Sequence, residues 1–449
     1  MTTYLQARLV IGERETGSSG ALGGRIAMAL VIVCFAYVLF LPVSHNRILY
    51  SAFLAIGAVS FVSIIRQRRT FAAEVLLLAF LVAALAGYGI AIGTSNPGLV
   101  YTLLIWVAAP GLYFLCTVAA TPQAIKYFFY AAVAATLAVS ALLLVFVSGE
   151  AGVIPQLVPI WLENQIGLGA TFSGGESQAR SYNLSSLSAL GPLWAGSLVV
   201  RRDVLLPAWS TRLVCAVAAF AAALVSSRSA IVIVIVVAPF IALALRALLG
   251  KRPITPIRLP ARAASWILAT GALGAFAVAA FVPRLQTFGP LVTAFQSVSS
   301  FFTGRAATSN TDQSIRSDEA DHLLQAWTQN PLFGSGFGAR VPDYARTSER
   351  PWALELQYHL LLFNVGLVGA LFVIAILVVA TVFLRRAVRQ GTEFTPSMVV
   401  AVTTAIAMLI ANATNPYLQA PGHMWAIFLP LALANAVVRP KAKLTARWL

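Results

Sequence analysis

The chain has 449 residues, of which 59% are hydrophobic and 10% charged. Soluble domains carry about 25% charged residues, so a soluble globular protein is excluded. The formal charge of +16 does not indicate nucleic acid, because the basic residues fall in short clusters between apolar runs.

Taken in chain order, residues 1–24 are polar and Gly/Ser-rich and are expected to form a cytoplasmic segment. Apolar runs follow at 25–43, 47–65, 72–92, 99–119, 127–148, 184–200, 208–226, 229–248, 264–283, 358–384, 397–412 and 423–438. A helix needs about 20 apolar residues to cross about 30 Å of hydrocarbon. The pattern therefore predicts an all-α polytopic membrane protein with about twelve transmembrane helices. The first run lacks a small-residue cleavage site and reads as an uncleaved span. Cys34, Cys116 and Cys215 all lie in apolar runs, which suggests neither a disulfide framework nor a metal site.

The connecting segments alternate in charge. Arg66, Arg68 and Arg69, then Lys126, Arg201 and Arg202, the stretch 246–262, Arg385, Arg386 and Arg389, and the tail 439–449 form one basic set. The positive-inside rule assigns this set, with both termini, to the cytoplasm. The other set holds 44–46, 93–98, 149–183, the turn at 226–228, 284–357 and 412–422, and is assigned to the outer side. All four lysines fall in the basic set. Two outer segments, 149–183 and 284–357, are too long to be mere connectors, and long loops tend to carry function. The expected division is thus spans 1–9 in 25–283, a large outer loop in 284–357 and spans 10–12 in 358–438.

Arg228, in "ALVSSRSAIVIVIVV", interrupts a long apolar tract. If "VSSRS" is a tight outer turn, its guanidinium sits at the membrane boundary. There it either snorkels to water or binds an anion. Arg180, in "GGESQARSYNLSSL", precedes the next outer-to-inner span. Arg316 heads "SIRSDEADHLLQAWTQ", where Arg316, Glu319, Leu323 and Trp327 recur at helical spacing and predict an amphipathic helix. Arginines converging on one face suit a pyrophosphate, since guanidinium forks bind phosphate oxygens in pairs.

"NPLFGSGFGAR" follows, with Gly334, Gly336 and Gly338 at alternate positions. Such a run permits either a close backbone approach or a nest of N–H groups for an anion, and marks a candidate substrate loop. In "ERPWALELQYHLLLFNVGLVG" the spacing predicts one helical face for Glu355, Tyr358, His359 and Leu362, at the mouth of the tenth span. Glu355 is a candidate general base, with His359 in reserve. "SDEADH" shares letters with a helicase box, but the chain has no GxxxxGK[ST] phosphate loop. No HExxH or Cys/His cluster suggests a metal, and no cofactor is expected.

The order of these motifs is similar to that of the bacterial O-antigen ligase and O-antigen/exopolysaccharide polymerase superfamily. It runs "SSRSA" at an outer turn, a long outer loop with an arginine-led helix, "NPLFGSGFG", then "ExxYxxLLxxxGLVG". The likeness covers roughly residues 170–380; before that the chain matches only in hydropathy. It implies a metal-independent, inverting glycosyltransferase of the inner membrane, with its active site facing the periplasm. Its substrates would be an undecaprenyl-pyrophosphate-linked oligosaccharide and a glycan acceptor, within membrane lipid and alongside polysaccharide assembly partners. Carried over by motif, Arg180 and Arg228 would hold the pyrophosphate. Ligases of this family carry a histidine where this chain has Glu355, which leans the expectation towards a polymerase. A ligase using a lipid A-core acceptor is the alternative, and a lipid-linked sugar transporter is the rival outside enzymes.

Overall fold

A computed structural model describes residues 18–438 except 44–46, 67–68, 151, 153, 167, 174–175, 182–184, 226–228, 250–310, 391–393 and 414. The predicted span 264–283, Arg228 and both extreme termini lie outside the described residues. The helices are α1 (Ser18–Phe40), α2 (Arg47–Arg66), α3 (Ala73–Ile92), α4 (Leu99–Ala119), α5 (Pro122–Glu150) and α6 (Ile160–Ile166). After a β-hairpin come α7 (Leu187–Ser197), α8 (Trp209–Val225), α9 (Ser229–Leu249), α10 (Thr311–Gln329), α11 (Gln357–Arg389), α12 (Thr395–Ala411) and α13 (Trp425–Val438). Among the described residues, seven helices are long and apolar enough to cross a membrane. Shorter apolar helices run at Ala29–Phe40, Trp209–Leu224 and Thr395–Ala411.

Two features depart from the sequence expectation. The segment 149–183 is not all-α: β1 (Leu168–Ser173) pairs antiparallel with β2 (Glu176–Ser181), Gly169 opposite Arg180. The predicted span 184–200 condenses to the eleven-residue α7, too short at about 1.5 Å per residue to cross the hydrocarbon. Every residue of α7 is buried. Its neighbours are α5, α8, α9 and α12. Small residues make this possible: a Cβ at Gly191 would strike Ile235, and one at Gly196 the Thr403 methyl. A short helix is tolerated at membrane depth when protein, not lipid, surrounds its ends. Arg212, itself buried, donates to the carbonyls of Ser197 and Val200, and Arg246 reaches Val199 O at 3.4 Å. These cations satisfy the orphan carbonyls of the α7 C-terminus and suit its dipole.

The connections gather at two ends of the bundle. At the first, Arg69 donates to Ala119 O, Ala72 N–H donates to Asn435 Oδ1 at 3.0 Å, and Asn435 donates to Thr117 O at 3.0 Å. Arg386 pairs with Glu74, and Ser397 N–H donates to Asp203 Oδ2 at 2.8 Å. At the second, Gly98 N–H donates to Gly338 O at 3.0 Å and Gln419 to Leu354 O at 3.0 Å. There Ser185 Oγ also meets His423 Nε2 at 3.1 Å.

The glycine-rich loop after α10 explains a break in α11. Gly366 has φ 59° and ψ −162°, so the regular bonds from Leu367 and Val368 back to Phe363 and Asn364 cannot form. The loop takes both halves of each lost bond. Leu367 and Val368 donate to Pro331 O and Leu332 O, each at 3.0 Å. Ser335 and Gly336 donate to Phe363 O at 2.9 Å and Asn364 O at 2.8 Å. Beyond this repair the loop drives Phe337, 1% exposed, against Trp106, with rings stacked at 5.5 Å. Trp106 lies in a π-helical turn of α4, Leu104–Ala108. Gly336 sits at φ +81°, where a Cβ would collide with the backbone of Gly93.

Gly336→Ala is expected to lose about 1–2 kcal/mol to the left-handed backbone alone, and more to that collision. Gly111→Ala, whose Cβ would meet nothing within 4 Å, is the control. Thermal unfolding in detergent measures both, and equal melting of the two variants would refute the clasp.

Candidate functional site

The second end holds a cluster of four charged side chains from three stretches of chain. α10 contributes two of them. Its inner face, Glu319, Leu323 and Ala326, is buried against Leu354, Leu356, Leu360 and Phe363, as the helical spacing predicts. Arg316 lies one turn earlier on the same face, partly exposed. Arg346 comes from the irregular segment after Asp343, a residue at φ 58°. Glu355 comes from the bend before α11.

Glu319 organises the group. It has no exposed surface, and its Oε1 accepts the N–H groups of Glu355 and Leu356, both at 2.7 Å. Its Oε2 pairs with Arg346 Nε at 2.8 Å. Leu356, the residue flanking α11, has no capping side chain, so the carboxylate of another helix caps α11. A negative group is favoured at that positive helix end. Because those N–H groups turn to Glu319, the helix begins at Gln357 and Glu355 lies outside it. The expected single helical face of Glu355 with Tyr358 and His359 is thus replaced by a bend.

The bend aims Glu355 back into the cluster. Its Oε2 pairs with Arg316 Nε at 3.3 Å, and its Oε1 pairs with Arg346. Arg316 also reaches Asn415 Oδ1 at 3.5 Å. Two guanidiniums and two carboxylates make the cluster neutral. Partial burial opposes the charge of Arg346, but Glu355 and Glu319 outweigh it and raise its pKa above the ordinary value. Partial burial, then the charge of Glu319, raises the phenol of Tyr344.

The structure brings Arg316 and Glu355 together and, among the described residues, pairs no other predicted site residue with them. His359 lies in the first turn of α11, half-buried, and its side chain makes no hydrogen bond among the described residues. Tyr358 is exposed and donates to Leu409 O at 2.6 Å. The N–H groups of Gly334, Ser335, Gly336 and Phe337 all donate to main-chain carbonyls. The loop therefore makes a close backbone approach, and these donors do not face an anion. Gly338 joins it to α4 through its carbonyl. The backbone of Arg180 is in β2, but its side chain lies outside the described residues, as does all of Arg228. Arg346 was not singled out by the sequence because its segment has no periodicity. His423, fully buried, is held by Tyr417 O at 2.9 Å and Ser185 Oγ. Among the described residues, no three His, Cys, Asp or Glu side chains assemble as a metal site.

No model of a known protein family matches the sequence, and no curated protein matches it. The likeness noted above therefore rests on its motifs alone.

Removing one partner of a buried pair costs about 3–5 kcal/mol, so Glu319→Ala is expected to destabilise by that order. Glu319→Gln keeps an acceptor for the two N–H groups and should cost less. Detergent melting curves test the ranking; a Glu319→Ala protein that melts like wild type would dispose of the capping role.

Proposed function

We propose that this chain is an inner-membrane glycosyltransferase that uses undecaprenyl-pyrophosphate-linked glycan at the periplasmic face, most specifically an O-antigen or exopolysaccharide polymerase. The carrying observation is the ion-paired cluster of Arg316, Arg346, Glu319 and Glu355, built on the elements that bear the family-like motifs. On this reading the chain crosses the membrane twelve times, once through the short α7 together with its flanking residues, and both termini are cytoplasmic. Charge supports that orientation. The first end carries Arg66, Arg69, Lys126, Arg201, Arg202, Arg212, Arg246, Arg385, Arg386 and Arg389 against Glu74 and Asp203. Among the described residues of the second end, carboxylates outnumber arginines. Basic residues mark the cytoplasmic side, so the cluster faces the periplasm.

The chemistry follows from the donor. A lipid pyrophosphate is already an activated leaving group. The acceptor hydroxyl oxygen bonds the anomeric carbon as the carbon–oxygen bond to the phosphate breaks, which inverts the centre. The enzyme aligns the hydroxyl behind that carbon. Arg316, with Arg180 and Arg228 in the roles that the motif likeness implies, neutralises the charge that develops on the departing phosphate. A pyrophosphate also competes with Glu355 for Arg316. As Arg316 swings to the phosphate, Glu355 Oε2 is released and receives the hydroxyl proton. His359, one turn along, is the reserve base.

Purified protein with lipid-linked oligosaccharide in detergent should lengthen the glycan. Arg180→Ala and Arg228→Ala should each abolish this without loss of expression, and wild-type turnover in either would remove the pyrophosphate clamp. General-base removal costs about 10²–10⁴-fold, so Glu355→Gln should slow turnover by that order. An unchanged rate would move the base to His359. Movement of unaltered substrate across a vesicle would indicate a transporter instead. In a deletion strain, surviving single-repeat surface glycan marks a lost polymerase, whereas polymer accumulating on its carrier marks a lost ligase.

Orientation has its own check. In a background lacking Cys34, Cys116 and Cys215, a cysteine at the exposed Glu349 should react with an impermeant thiol reagent added to the periplasm. One at the exposed Arg385 should not. The reverse pattern would invert the topology and defeat the proposal.

A further inference from the structure

A cavity of about 580 Å³ lies far from the charged cluster, between α1, α2, α4, α5 and α13, at the first end of the bundle. Its volume is within the range of small-ligand sites. The walls are mainly apolar, with Phe35, Phe128, Phe428 and Leu429 among them. On α2 the lining residues Ala58, Val62 and Arg66 recur every four positions, and all three are exposed. The cavity thus opens sideways along one face of a membrane-crossing helix. From Ala58 to Arg66 it runs about 12 Å parallel to the helix axis.

Its polar features concentrate at one end. Arg66 and Arg69 both line the cavity, and among the described residues that line it there is no carboxylate. Arg69 is held in place: its Nη1 donates to Ala119 O at 2.5 Å and Ala120 O at 3.3 Å, the last carbonyls of α4. Burial lowers its pKa, as expected of a cation short of water. Deeper in, Thr117 Oγ1 and Trp425 Nε1 are buried and have no hydrogen-bond partner among the described residues. Both residues line the cavity.

An apolar slot that opens to lipid and ends in two guanidiniums matches one ligand chemistry: a hydrocarbon chain with an anionic phosphate head. Basic pockets between membrane helices take such heads. We infer that this cavity is a binding site for an anionic phospholipid of the surrounding bilayer, its phosphate on Arg66 and Arg69 and one acyl chain in the apolar slot. The site is separate from the charged cluster and does not depend on the function proposed for it. A lipid held there bridges α2, α4, α5 and α13, and a ligand that binds only the folded form stabilises it.

Delipidated full-length protein in detergent, titrated with phosphatidylglycerol or phosphatidylcholine and read by native mass spectrometry and melting temperature, tests the inference. Phosphatidylglycerol should bind at least about tenfold more tightly and raise the melting temperature, since a tenfold change is about 1.4 kcal/mol. Arg66→Ala with Arg69→Ala should abolish that preference. Because Arg69 also ties down the end of α4, Arg66→Gln alone, at an exposed position, is the variant that isolates binding from folding, and it should weaken phosphatidylglycerol selectively. Ala432→Trp, filling the slot with both arginines intact, should weaken both lipids. Equal affinity for the two lipids, an unchanged preference in Arg66→Gln, or wild-type binding by Ala432→Trp would each overturn the site.

Discussion

A carboxylate with no exposed surface survives in a folded protein only when its charge and lone pairs are answered. In Glu319 two main-chain N–H groups answer Oε1 and the Arg346 guanidinium beside Oε2 answers the charge, and the arrangement of the second end follows from it. The two N–H groups set where α11 starts. That start places Glu355 in a bend, outside the helix. The bend turns its carboxylate towards Arg316 and Arg346, two cations separated by thirty positions in sequence. One desolvated charge on α10 thereby fixes the entry of a long helix and the direction of a candidate base.

A second constraint comes from the membrane. Helix breaks within hydrocarbon leave main-chain groups that water cannot satisfy. α11 breaks at Gly366, and the loop 331–336 supplies the missing donors and acceptors on both sides of the break. The glycines allow this because a Cβ at Gly334 would strike the Asn364 backbone, and one at Gly366 the Leu332 backbone. The same loop carries Phe337 into the space beside Gly89, joining α3, α4 and α11. The charged cluster therefore stands on a rigid frame, which positioning of reacting groups requires.

Much of this architecture could be read from sequence, for identifiable reasons. Span-length apolar runs and the period of α10 are repeated signals, and Leu323 and Glu319 are buried where that period places them. The glycine run announced close backbone approach, but a loop that repairs a distant helix cannot be distinguished from an anion nest without its partner, Gly366. α7 was misjudged in length because eleven residues enclosed by protein are as apolar as a full span. The β-hairpin in 168–181 has only weak alternation and few β-branched residues. Arg346 was missed because it sits in irregular chain, and its role exists only relative to Glu319 and Glu355. Pairings between side chains distant in sequence leave no local periodicity to detect.

The neutrality of the cluster bears directly on how it would act. Two fixed guanidiniums with no carboxylates would attract any phosphate and hold product as firmly as substrate. Here Glu355 already holds Nε of Arg316, so an anion that takes that donor does so by exchange and costs part of an existing ion pair. After the exchange the cluster carries one uncompensated carboxylate. On the proposed reading, the proton leaving the acceptor hydroxyl is what restores the balance. Arrival of the polyprenyl pyrophosphate and creation of a proton acceptor are then the same event; once the pyrophosphate has left and Glu355 has passed its proton to water, the carboxylate reclaims Arg316. Glu319 stays outside this cycle because its oxygens are committed to the α11 entry and to Arg346, so the frame holds while the exchange takes place.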